Sequence, residues 1–303
     1  MTQGGADARR ASERAGLLYA TAGFLVWGVS PAFWKLLPGV PALQLLAHRI
    51  VWCTLLMVAL LAWRRDRGLA AAIRDPRTLA TLIASTLLIG TNWYGYIYAV
   101  VNEKILQASL GYFINPLINV LLGVLFLREE LRARQRLAVG IAAVGVAILT
   151  WRLGELPWLS LFLAISFGLY GLVRKTVNAS PEQGLALETL LLAPLSFFFL
   201  MRWQAEGVGA WGEGSWSTDL LLIATGAITA LPLLLFTHGA RRLPLSTIGL
   251  LQYIAPTCQF LLAVVAYREP FDRVQLLAFL FIWTALAIFT LDLRRASSAG
   301  SAR

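Results

Sequence analysis

Charge is scarce in this sequence: Asp, Glu, Lys and Arg make up 14% of 303 residues, against 58% apolar. A soluble domain carries about 25% charged residues, so a water-solvated surface of ordinary composition is excluded. Cysteine and histidine are scarcer still, at two each. Cys53 and Cys258 both fall inside apolar runs, and no paired spacing suggests a disulfide framework or a metal centre. No glycine-rich loop ending in Gly-Lys-Ser/Thr appears, which argues against ATP coupling within the chain. No metal-spaced His/Asp/Glu cluster and no nucleophile elbow are found, so no catalytic residue, metal or cofactor is expected. The net charge of +10 does not point to nucleic acid, because the arginines sit at the ends of apolar runs rather than along one basic stripe.

Long apolar runs are what the sequence has in abundance. Ten of them, at about 15–37, 42–63, 78–100, 105–127, 135–151, 157–174, 183–202, 218–240, 245–267 and 273–292, approach the roughly 20 residues that cross a bilayer as a helix. The first follows Arg9, Arg10 and Arg14 as a signal peptide would. It is too long for that role and carries Trp27, Pro31, Trp34 and Lys35, so a retained helix is expected. The longest connection, about 203–217, holds four glycines with Trp211 and Trp216, suited to a membrane–water interface. With the N-terminus inside, the inner segments hold 19 Lys and Arg, the outer ones 6, and Arg49 lies within the second run. That bias predicts both termini on the cytoplasmic side.

The two halves align at a constant shift of 140 residues: Pro116 on Pro256, Arg128-Glu129 on Arg268-Glu269, Gln135 on Gln275, Lys35 on Lys175 and Gly28 on Gly168. The expected architecture is all-α, with ten transmembrane helices as two five-helix repeats, residues 1–152 and 153–303. Five is odd, so the second repeat would enter the membrane inverted. Inverted halves meeting at a midplane site are a recurrent transporter design.

The fourth run carries Ser109, Tyr112, Asn115 and Asn119, spaced by three, three and four and so on one helical face. The ninth carries Gly249, Gln252, Ala255 and Gln259 at the matching positions. Polar groups in lipid are costly, so this stripe is expected to face the bundle interior or a water-filled cavity; helix-to-helix glue is the plainer alternative. Pro116 removes the donor that would bond the Tyr112 carbonyl, and Pro256 does the same for Gln252. Trp27, Trp34, Asn92, Trp93, Tyr94, Tyr96, Tyr170 and Tyr253 lie at depths from which they could wall the same cavity, whereas Trp52, Trp63 and Trp203 read as packing or interfacial anchors. Four ionisable residues fall within runs: His48, Arg49, Glu188 and His238. Glu188 is a candidate proton-coupling carboxylate, and His48-Arg49 a candidate attractor of an anionic group at the outer entrance; capping, pinning and snorkelling are the structural alternatives. His48 and Glu188 are repeat mates, which inversion would put in opposite leaflets. His238 reads as structural.

The segments AHRIVW (47–52), SLGYFINPLINVLLG (109–123), LETLLLAPL (187–195) and LPLSTIGLLQYIAPTCQFLLAV (243–264) resemble the RarD branch of the EamA family, within the drug/metabolite transporter superfamily. The resemblance covers about residues 16–292. It implies a ten-helix, two-repeat transporter of the bacterial inner membrane, with a cavity lined by the first, third, fourth, sixth, eighth and ninth helices, which here carry Trp27, Asn92, Tyr112, Asn115, Tyr170, Gln252 and Tyr253. The expectation is a secondary transporter, working as an exporter of small organic metabolites or drugs by alternating access, in a lipid bilayer, as a monomer or homodimer and without nucleic-acid partners. The competing readings are a membrane-embedded lipid or isoprenoid enzyme, which would need clustered acids or histidines at one leaflet, and a scaffold that only packs against partners.

Overall fold

In lipid the backbone must satisfy its own hydrogen bonds, and a chain of apolar runs does so as helices. The computed structural model describes residues 3–102, 104–153, 157–212, 215–268 and 273–299, and within these all side chains except 3–7, 9, 97, 100, 101, 105–109, 152, 153, 263, 275 and 293–299. These residues form α1 (Gln3–Trp34), α2 (Ala42–Trp63), α3 (Gly68–Arg74), α4 (Pro76–Val101), α5 (Ile105–Leu127), α6 (Ala133–Leu153), α7 (Trp158–Thr176), α8 (Pro181–Ala205), α9 (Trp216–Ala240), α10 (Leu245–Leu251), α11 (Ile254–Leu261) and α12 (Arg273–Ala299), with a π-helical turn at Leu262–Ala266. No strand occurs among the described residues.

Eight segments among the described residues are long and apolar enough to cross a membrane, and Leu276–Asp292 of α12 is a shorter apolar helix. The run Asn92-Trp93-Tyr94-Gly95-Tyr96 dilutes the apolar character of α4 despite its 26 residues. Large apolar side chains such as Leu55, Leu87, Phe126, Phe198 and Leu231 stand on the outer surface, and Trp63, Trp151 and Trp216 are exposed at helix ends, where indoles anchor a bundle at the headgroup level. The protein is therefore a multi-pass membrane protein.

Three boundaries depart from the sequence expectation. α1 starts twelve residues before position 15, at Gln3, and stops at Trp34. The connection after α2 contains the short helix α3. The ninth run is not one helix: it opens at Gln252–Tyr253, between α10 and α11, and ends in the π turn. Pro116, by contrast, sits inside an unbroken α5.

The 140-residue shift reappears in the packing. α1 lies on α9 as α7 lies on α4, and α5 lies on α7 as the α10–α11 run lies on α1. The pairs α2–α8, α6–α12 and α5–α10 each join an element to its own mate, which puts them on a pseudo-two-fold axis. Where α1 crosses α11, a methyl on Gly28 would come within 2.5 Å of Cys258 Cβ; where α7 crosses α5, one on Gly168 would come within 2.8 Å of Ile118 Cγ2. Both residues of one contact are 140 positions from those of the other, and only glycine lets the helices approach so closely. Termination repeats too: Arg128 and Arg268 both adopt left-handed backbone, each with φ of 53°. In the first half the Arg128 N–H reaches back to the Gly123 carbonyl, the six-to-one bond that closes a helix end, and the Glu129 N–H meets the same carbonyl at 3.1 Å. The Glu129 carboxylate goes on to accept from Ser246 N at 2.9 Å and Ser246 Oγ at 2.7 Å, capping α10 of the other half. Its mate Glu269 lies outside the described residues.

Candidate functional site

A cavity opens where the first half meets the second. Its wall comes from Asn92 of α4, Gly111, Tyr112 and Asn115 of α5, and Leu163 and Phe167 of α7. It measures about 20 Å³, room for a water molecule or two and far less than a drug-sized solute needs. Asn92 is fixed by two bonds from Nδ2, to the Leu163 carbonyl and to Ser166 Oγ, both 2.9 Å. Asn115 is 3% exposed, yet its Oδ1 has no hydrogen-bond partner among the described residues. An unpaired buried acceptor costs about 1–3 kcal/mol, so a donor arriving in the cavity would meet a prepared place. Phe167 carries the wall onward to Trp27, its repeat mate, with ring centres 5.9 Å apart and edge to face. On the other side Tyr112 packs on Tyr96 at 6.3 Å, and both phenols are part exposed.

The polar stripe of α5 does face inward, but it divides. Tyr112 and Asn115 reach the cavity; Asn119, one turn on, donates from Nδ2 to Gln252 Oε1 at 2.7 Å and joins the halves. Asn119 and Gln252 are both buried, so neither meets acyl chains. Gln259 bonds the Trp27 carbonyl at 3.3 Å and holds α11 to α1. The side chain of Ser109 lies outside the described residues. Three of the expected wall tyrosines are elsewhere, Tyr94 among them with most of its surface exposed. Tyr253 is fully buried among Val120, Ala142 and Phe289, with its hydroxyl on the Phe113 carbonyl at 3.1 Å. Tyr170 turns to Glu188. The carbonyl of Gln252 that Pro256 leaves without its α-helical donor does not add to the cavity either, because the Ala255 N–H takes it at 3.2 Å.

The ionisable residues fall in separate places. Glu188 is buried with the Arg174 guanidinium, whose Nε is 3.6 Å away, and accepts from Ser85 and from the Tyr170 hydroxyl at 3.2 Å. His48 lies beneath the loop after α8, ring to ring with Trp211 at 6.2 Å, while Gln44 straps that loop down through the Val208 carbonyl at 2.6 Å and the Ala210 N–H at 2.9 Å. Trp211 thus packs on His48 and Trp52 of α2 and keeps one side exposed. Arg49 does not snorkel: its Nε donates to Thr229 Oγ1 of α9 at 3.0 Å, and its guanidinium stands over the rings of Trp34 and Trp93 at 5.2 and 5.4 Å. His238 pairs with Glu182 at 3.2 Å and stacks on Tyr19, a structural contact between α9, α8 and α1. Arg174, Ser85 and Thr229 were not singled out from the sequence. Arg174 beside Lys175 at a helix end reads as a loop cation, and buried Ser and Thr in helices commonly bond their own preceding turn.

Comparison with known proteins decides the family. Residues 14–151 and 157–291 each match the EamA-like transporter family, one match in each half. The chain belongs to that family. The protein RarD of Escherichia coli (strain K12) is 45% identical over 280 residues, covering 92% of this chain and 95% of its own. The transporter YojE of Bacillus subtilis (strain 168) is 42% identical over 287 residues, covering 93% and 95%. This EamA-family chain therefore sits in the RarD branch of the drug/metabolite transporter superfamily. A protein of known crystal structure shares its fold, with a TM-score of 0.70 at 20% identity over 93% of this chain and 99% of the other. The EamA membership makes the protein a membrane transporter of the drug/metabolite type.

Proposed function

We propose that this transporter has ten spans in two oppositely inserted halves, with both termini cytoplasmic, and that it exports small amphipathic or aromatic organic solutes across the bacterial inner membrane by alternating access. The observation that carries this reading is the Asn115 carbonyl oxygen, buried and without partner, in a cavity walled by helices of both repeats. Asn119 also leaves its Oδ1 unpaired but is tied by its donor to Gln252, away from the cavity, whereas the Asn115 side chain lines it. The small volume of the cavity fits a conformation closed on both sides, and movement of one half against the other about the Trp27–Phe167 contact would widen it. A monomer or a homodimer would serve equally. Glu188 is buried, as a proton-coupling carboxylate would be, and Arg174 supplies its counter-ion in this conformation.

The test is flux of a broad panel of aromatic and amphipathic solutes in proteoliposomes. At least one solute should move above protein-free vesicles, and Asn115→Leu should reduce that flux at least tenfold while retaining the parent's monodisperse elution and melting temperature. No flux from any solute with folded protein, or unchanged flux in Asn115→Leu, contradicts the reading.

A further inference from the structure

Arg49 stands in the bundle interior where four helices converge: its own α2, Thr229 of α9, Trp34 of α1 and Trp93 of α4. A guanidinium has five N–H donors, and here one is used, by Thr229. The four N–H groups on the terminal nitrogens have no acceptor among the described residues, and no described carboxylate lies within ion-pair distance. Tyr112, Tyr96 and Cys53 stand near it, and none of them is a carboxylate. Tyr112, one of these, also forms part of the cavity wall. An arginine inside a membrane bundle is costly unless compensated. Ring faces return about 0.5–2 kcal/mol, which does not replace a counter-ion. The second half shows the contrast: its buried Arg174 is met by Glu188.

We propose that Arg49 binds the carboxylate of the transported solute, and that the substrates are small aromatic monocarboxylates. A planar carboxylate accepts two parallel bonds from the free edge of a guanidinium, and the indoles of Trp34 and Trp93 flank the place where an aromatic body would lie. One cation suits a monoanion. A phosphate dianion would call for a second one. This names the substrate class of the transport reading above and rests on it.

The test separates binding from transport. The purified full-length protein is titrated calorimetrically with phenylacetate, 3-phenylpropionate and 4-hydroxybenzoate and with their neutral amides, and the same compounds are followed for flux in proteoliposomes. At least one acid should bind saturably and at least tenfold more tightly than its amide, with Arg49→Gln erasing that preference and Arg49→Lys keeping part of it. Acids and amides binding alike, no acid binding at all, or an acid preference that survives in Arg49→Gln would overturn the proposal. Should Arg49→Gln not fold, the acid-to-amide ratio in the unaltered protein decides alone. Acid binding without flux upholds the site and removes the transport reading; flux without acid preference upholds transport and removes the site.

Discussion

Arg49 and Arg174 occupy equivalent ground in the two halves. Arg174 is the repeat mate of Trp34, the ring over which Arg49 stands, and Glu188 is the mate of His48, the residue before Arg49. In each half an arginine thus fills the interface between the first and second helices of the repeat. In the second half it comes from the first helix and meets a carboxylate on the second; in the first half it comes from the second helix and, among the described residues, meets rings and a threonine. Duplication has kept the place and divided the work. One arginine is fixed by an internal counter-ion, and the other keeps its donors for an external one.

The sharpest way to break that comparison is to remove a charge from each side and measure stability. Glu188→Gln leaves Arg174 buried without its counter-ion, a loss that costs about 3–5 kcal/mol. Arg49→Gln removes a charge that had no partner, and its stability should stay within about 1 kcal/mol of the parent or rise. Melting or denaturant unfolding in detergent reads both. Equal losses would mean that Arg49 is as internally compensated as Arg174.

A smaller effect tests whether the scaffold is as symmetric as the charges are not. Gly28→Val and Gly168→Val each force atoms into a helix crossing that a single methyl would already crowd. Both should destabilise, by about 1–3 kcal/mol in the usual range for overpacking, and by similar amounts. A loss at one site alone would show that the two crossings are not equivalent. The smallest effect comes from the helix ends. Arg128→Gly and Arg268→Gly relieve a left-handed backbone that costs a non-glycine residue roughly 1–2 kcal/mol, so each should raise the melting temperature slightly, and a fall in either would show that the arginine side chain contributes more than its backbone costs.

Much of this was legible in the sequence. Apolar run length located the helices, and a fixed shift exposed the repeat because Pro, Arg-Glu and Lys recur in it against an apolar background. The three-three-four spacing put Tyr112, Asn115 and Asn119 on one helical face, where the two asparagines are buried, as lipid requires. What each then does was not legible, because spacing fixes a face and not a partner: Asn115 ends at a cavity, Asn119 on Gln252. Proline was an incomplete guide for the same reason. Pro116 and Pro256 make the same local demand, yet only the second helix opens, and it opens at Gln252 and Tyr253, whose side chains both bond across to α5. The equivalent residues are Tyr112 and Phe113, and Phe113 has no hydroxyl with which to return the Tyr253 bond. Arg174 stayed hidden because its mate is an apolar tryptophan and its neighbour a lysine, so pattern alone assigned it to a loop.

The inverted arrangement of the halves underlies the whole account, and sided cysteine labelling measures it directly. With Cys53 and Cys258 replaced by alanine, single cysteines at positions 128 and 268 are exposed to a membrane-impermeant maleimide in right-side-out and inside-out vesicles. The account predicts that the cysteine at 128 reacts only from the cytoplasmic face and the one at 268 only from the opposite face. Labelling of both from the same face would contradict it.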